Sequence, residues 1–143
     1  MKLNLIIEQA YRLQSIRDMA AMLPQLLKAA QAVYDQWAQD DDGYDDEYGG
    51  GGICHDIADA MVGVLTERSI DAMTFSQAIG DVHVYVIAKF AEGVYELNIP
   101  PYIYERGSGY SWTKLPNVVF KENDVIVNRI HTDPSKFDEY LDS

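Results

Sequence analysis

Cys54 is the only cysteine of the chain, and with three histidines it carries most of the side-chain chemistry on offer. It follows the glycine run Gly49 to Gly52 and stands where an apolar helical stripe begins. In the first turn of a helix, unsatisfied backbone N–H groups and the helix dipole favour a thiolate. Glycines let a substrate approach the backbone closely. The Cys54 N–H would itself help to stabilise a tetrahedral oxyanion. Asp56, Asp59 and the upstream acids act in the opposite sense and raise a thiol's pKa. A nucleophilic Cys54 therefore needs a partner base. The competing reading makes Cys54 a small buried hydrophobe.

His83 is the candidate base. It lies in an otherwise apolar strand, on the face shared with Tyr85 and Ile87, and Asn98 in the next strand is a candidate to orient its ring. If Asn98 accepts from one ring nitrogen, the other is left for sulfur. A turn at Glu92-Gly93 puts Asn98 on the His83 face but across from Ile87, about 13 Å along the strand, so a bulge or longer loop has to shorten the gap. Glu96 shares that face at a greater distance. His55 is expected to pair with Asp59 four residues on, and His131 has no evident partner. No HxxxH or CxxC ligand pair occurs, so neither a metal nor another cofactor is expected.

The elements that must position these residues follow from periodicity. Leu3, Ile6, Ile7, Ala10, Leu13 and Ile16 have helical spacing, and Pro24 marks a break or kink. Leu26, Leu27, Ala30, Val33, Tyr34 and Trp37 continue as a second helix. Ile53, Ile57, Met61, Val64 and Leu65 form the stripe of a third, from Ile53 to Glu67. The pattern then turns to period two. Strands are expected over 70–75, 82–89, 94–99 and 125–130, with Tyr102 to Trp112 as an aromatic extended loop or edge. Helices first and antiparallel strands later predict an α+β fold, with the Cys54 helix packed on an antiparallel sheet. The expected organisation is a single domain over 1–143. It comprises a helical part (1–39), an acidic, glycine-rich loop (40–52), a core (53–131) and a tail (132–143).

Composition bounds the function. The 143 residues include 11 Lys and Arg against 23 Asp and Glu, a net charge of −12, and 48% are hydrophobic. The apolar fraction is too high for a disordered chain. No run approaches the roughly 18 apolar residues of a membrane span. The residues before Arg17 lack the unbroken apolar stretch of a signal peptide, so a cytoplasmic protein is expected. The acid excess argues against nucleic acid and anionic membranes. No Lys or Arg occurs between Lys28 and Arg68, whereas Asp40, Asp41, Asp42, Asp45, Asp46 and Glu47 crowd together. That block reads as a solvated loop, and it would attract a basic substrate or partner. Its spacing around Gly43 does not fit an EF-hand.

The stretch Gly52-Ile53-Cys54-His55-Asp56-Ile57-Ala58, then Leu65 and Ile70-Asp71-Ala72, resembles the transglutaminase-like branch of the papain-like cysteine peptidase superfamily. His83-Val84-Tyr85 and Gly93-Val94-Tyr95-Glu96-Leu97-Asn98-Ile99-Pro100 are similar to that family's histidine strand and acid-bearing strand. The resemblance covers residues 50 to 101. It implies Cys54 as nucleophile, His83 as base and Asn98 in the position where the family usually has aspartate and the papain branch asparagine. It also implies a papain-like core. An oxyanion hole needs a second donor, for which Gln36, Trp37, Gln39 and Tyr48 are candidates. Tyr102, Tyr104, Tyr110 and Trp112 are candidates for lining a substrate cleft, or else pack as ordinary strand residues. The expected function is thiol-dependent hydrolysis of amide or peptide bonds in a peptide or protein substrate. Deamidation or acyl transfer at the same site is one alternative. A non-catalytic accessory protein whose acidic loop engages a basic partner is the other.

Overall fold

The computed structural model describes residues 13–39, 52–77, 83–108 and 111–141. The expected helix at Leu3 to Ile16, the acidic loop, Tyr48 and Tyr110 fall largely or wholly outside the described residues. Two long helices, α1 (Ile16–Gln39) and α2 (Gly52–Glu67), precede the strands β1 (Ala72–Gln77), β2 (His83–Phe90), β3 (Gly93–Asn98), β4 (Glu105–Ser108), β5 (Ser111–Lys114) and β6 (Ile126–His131). A short helix, α3 (Phe137–Leu141), follows. The main sheet has the order β1-β2-β3-β6, and β4 and β5 form a separate hairpin. Every pairing is antiparallel. The chain is thus α+β, as its periodicity predicts. None of the described helices is long and apolar enough to cross a membrane.

Pro24 does not break the first helix; α1 runs through it. Pro24 and Ala20, whose carbonyl loses its N–H partner, both lie on the exposed side. The ring and the freed carbonyl thus face water, which limits the usual cost of an interior proline. The opposite side buries Met19, Met22, Leu26, Ala30, Tyr34 and Trp37, spaced three or four residues apart. α2 buries Ile53, Ile57, Met61 and Leu65 at strict fourfold spacing. It ends at Ser69, whose φ of 62° takes the left-handed conformation. There Ile70 N–H bonds to Leu65 O and Ser69 N–H to Thr66 O. This is the paired stop of a Schellman motif, and the buried Ile70 and Leu65 share the same core around it.

Strand alternation divides the sheet into two faces. Val86, Ala88, Phe90, Tyr95 and Leu97 point to α1 and α2 and complete the main core. Ile87 and Val94 point the other way, where Phe137 of α3 covers them. The stretch read as a tail is therefore anchored, and His131, for which the sequence offers no partner, shares a 2.9 Å hydrogen bond with the Tyr140 hydroxyl.

The β2–β3 turn falls one residue earlier than expected. Phe90 pairs with Gly93, so Ala91 and Glu92 form the turn. Two anchors fix it. The Glu92 carboxylate accepts from Ser15 Oγ (2.6 Å) and Ile16 N–H (2.8 Å), capping α1 from a distant loop. Gly93, at φ 143°, lies against His131, and a Cβ there would run into the His131 carbonyl. Only glycine fits that strand position.

Candidate active site

The displaced turn decides the geometry of the candidate triad. With Val86 opposite Leu97, continuing the ladder sets Asn98 across from Tyr85, two residues from His83. The expected separation of about 13 Å collapses to diagonal neighbours, and His83 Nε2 lies 2.8 Å from Asn98 Oδ1. An amide oxygen only accepts, so Nε2 carries the proton and Nδ1 presents a lone pair. Nδ1 is buried and has no hydrogen-bond partner. The Tyr85 ring stacks beside the imidazole, with centroids 5.9 Å apart and planes 29° apart. Phe75 in turn packs edge-on against Tyr85 at 5.8 Å. Asn98 and Tyr85 thus fix both the tautomer and the plane of a ring that keeps one basic nitrogen unused.

Cys54 sits in the first turn of α2, as its glycine-led context predicts, but it is only 5% exposed. Burial pushes its thiol pKa above the ordinary value, and the Glu105 carboxylate adds to the rise. Backbone hydrogen bonds from Val84, His55 and Cys54 itself oppose the shift without cancelling it. The resting group is therefore a thiol at neutral pH. Asp56 and Asp59 were the residues expected to raise it. They are exposed, and the described carboxylate that acts on the sulfur is Glu105, at the start of β4. Nothing in the sequence marked Glu105, because its approach to Cys54 depends on where the β4–β5 hairpin folds.

The Val84 contact brings the sulfur to the residue next to His83. The two side chains nonetheless belong to different faces of the sheet. α2 packs over Val84 and Val86, whereas His83 lies with Tyr85 and Asn98 on the opposite face. Cys54 and Asn98 both line one cavity of about 10 Å³, together with Met61, Val86 and Leu97. That is room for a single water. No Cys54–His83 hydrogen bond is formed, since Nδ1 has no partner.

The other candidates distribute unevenly. Trp37 is buried in an aromatic cluster, 6.0 Å from Tyr34 and 6.1 Å from Tyr104. Its carbonyl accepts from Lys114 Nζ, which also sits 4.8 Å over its ring. Gln36 and Gln39 are exposed on α1, and Gln39 borders a groove that shares no residue with the Cys54 cavity. The N–H groups that do reach the sulfur are those of Val84, His55 and Cys54. Tyr104 is completely buried, so it is a core residue and not a cleft wall. Its ring fills the space between Trp37 and Phe120. Tyr102 is 62% exposed, and its carbonyl accepts from Arg106. Trp112 lies on β5 across from Gly107. His55 pairs with Asp59 at 3.5 Å, as expected.

Searches against protein-family models, curated proteins and solved structures found no match to the chain.

Proposed function

We propose that the protein is a cysteine-dependent hydrolase of amide or peptide bonds, with Cys54 as nucleophile, His83 as general base and Asn98 as the residue that positions His83. The observation that carries this reading is the His83–Asn98 hydrogen bond, which leaves a buried, unpartnered Nδ1 lone pair beside the strand residue that contacts the Cys54 sulfur. In the reaction, the His83 ring, at the first residue of β2, comes round the end of the strand to the Cys54 side, and Nδ1 takes the thiol proton as sulfur attacks the carbonyl carbon. The same proton passes to the leaving amine, and a thioester forms on Cys54. Water then attacks the thioester, giving its proton to Nδ1, and the carboxylic acid and thiol are released. Backbone N–H groups of Cys54 and His55 at the start of α2 face the developing oxyanion. A thiol that is protonated at rest makes the base indispensable, and catalytic hydrogen bonds commonly tighten only once substrate is bound.

The test is product analysis by mass spectrometry on acetylated peptides bearing glutamine and lysine, with and without an added amine. Cleavage gives two fragments, deamidation adds the mass difference of one acid for one amide, and acyl transfer gives the amine adduct. An acyl group on Cys54 after acid quenching is the expected intermediate. Turnover that survives Cys54→Ala unchanged would overturn the assignment.

The burial of the thiol favours a second reading, a non-catalytic accessory protein in which Cys54 is a core residue and the acid excess engages a basic partner. In that case iodoacetamide reacts with Cys54 in the folded protein more slowly than with a free thiol, no acyl adduct forms with any peptide, and Cys54→Ala binds the partner normally.

A further inference from the structure

The C-terminal half of α1 borders an open groove of about 620 Å³, lined by Tyr34, Asp35, Ala38, Gln39, Pro116 and Val119 among others. Its volume lies in the range of small-molecule sites. The walls are held rigidly. Gln31 Nε2 donates to Val118 O (2.9 Å) and to Asp35 Oδ1 (2.8 Å), and Gln31 Oε1 accepts from Phe120 N–H (2.9 Å). The Tyr34 hydroxyl donates to Leu115 O and accepts from Val118 N–H. Two side chains of one helix thus sew residues 115–120 onto α1. At the tip of that loop, Asn117 takes a left-handed backbone conformation, φ 59°, which asparagine tolerates better than most residues.

Among the described residues, Asp35 is the one charged residue that lines the groove. The last turn of α1 holds no basic residue, although a helix C-terminus carries the negative end of the dipole and favours cations. Asp35 places a carboxylate in that region, where the dipole opposes it. Among the described residues it has no ion-pair partner; its one hydrogen bond is from Gln31. Lys114 does not line the groove, but its ammonium answers the helix end at Trp37 O, which leaves Asp35 as the unanswered charge. Across the rim, Pro116, Val118 and the 70%-exposed Val119 offer apolar surface.

We infer that this groove is a binding site for a small organic ammonium ion: a cationic head against the Asp35 carboxylate, and an apolar body against Pro116, Val118 and Val119. The site is independent of the Cys54 chemistry. The net charge of −12 would raise the local concentration of such a cation.

Phenethylammonium and its neutral isostere 2-phenylethanol are the probes, titrated into 15N-labelled full-length protein. The expected result is saturable amide shifts centred on Ala38, Val118 and Val119, with affinity for the ammonium at least tenfold above that for the alcohol. Asp35→Asn keeps an acceptor for Gln31 and is expected to keep the wild-type Tm, while the preference for the cation falls to near unity. Equal affinity for the two probes, shifts centred elsewhere, no saturation at millimolar concentration, or an Asp35→Asn protein that retains the preference would each overturn the inference. If Asp35→Asn is unstable, Val119→Asp, at an exposed position, supplies the second arm. It is expected to weaken binding of the neutral isostere while leaving the fold intact, and unchanged isostere binding would count against the apolar subsite.

Discussion

The two faces of the main sheet are made by the same strands and treat polar groups in opposite ways. The helix-covered face is closed by α1 and α2, so Val86, Ala88, Phe90 and Leu97 have no solvent contact, and Cys54 is drawn into that dry layer with a raised pKa. The outer face is covered mainly at one end, where the five-residue α3 lays Phe137 over Ile87 and Val94. At its other end His83 and Asn98 are half-buried and bonded to each other. A residue type is therefore given its chemistry by the layer it enters. Water exclusion keeps the thiol neutral on one side, and a polar partner fixes a histidine tautomer on the other.

The largest expected effect tests whether the two faces cooperate. His83→Ala should lower amide hydrolysis about 10²–10⁴-fold, and Cys54→Ala should abolish it, as read by single-turnover kinetics on protein that circular dichroism shows to be folded. Asn98→Ala should cost about tenfold in kcat with KM unchanged. In that variant 15N shifts of the His83 ring should show mixed tautomers instead of Nε2–H alone. A ring that stays in one tautomer would remove Asn98 from the positioning role.

Next come the cores themselves. Leu97→Ala on the helix face should cost about 4 kcal/mol and Ile87→Ala on the outer face about 2.5 kcal/mol, because α3 is freer to collapse onto a cavity than two long packed helices are. Urea unfolding measures both, and equal costs would erase the contrast between the faces. Gly93→Ala should cost about 3 kcal/mol, since an alanine there is strained in φ and clashes with the His131 carbonyl. It should also release β6 and α3, seen as faster amide exchange at 126–131 than on α1.

The smallest effect concerns pH. The Glu92 pKa is held below 4.5 chiefly by the Ser15 hydroxyl and the Ile16 N–H. A carboxyl depressed in the folded state contributes stability that is present above its unfolded pKa and is lost as pH falls through the folded value. Thermal melts of the wild type should therefore lose this contribution below about pH 4.5. Glu92→Gln should lower Tm slightly at pH 7 and flatten the acid limb. An acid limb identical to wild type would show that the cap is not coupled to folding.

Much of this architecture was legible in the residues. Period-four spacing announced α2, period-two runs announced β2 and β3, and the change from one to the other announced an α+β fold. The glycine run placed Cys54 at a helix start because glycine and a following apolar stripe are both local signals. Of the break or kink expected at Pro24, the break does not occur, because the rule against interior prolines is a matter of cost and the exposed side of α1 keeps that cost low. The β2–β3 register misled because Glu92-Gly93 is a good local turn. What overrode it was distant: the α1 N-terminus claiming the Glu92 carboxylate and the His131 carbonyl excluding any side chain at position 93. The sequence left Tyr104 open between cleft wall and packed residue, because an aromatic in a glycine-broken stretch has no periodicity to reveal its burial.

The sequence by itself determined the element types, the alternation that sets His83 and Asn98 on one face, and the acid excess, since each depends on neighbours along the chain. Only the tertiary structure decided which residues meet. It shifted the ladder by two residues so that Asn98 holds His83, buried the Cys54 thiol beside Val84 and Glu105, and sewed the 115–120 loop onto α1 to form a charged groove. Those outcomes rest on contacts between residues up to 89 positions apart. There packing and hydrogen-bond satisfaction across the core outweigh anything a local pattern encodes.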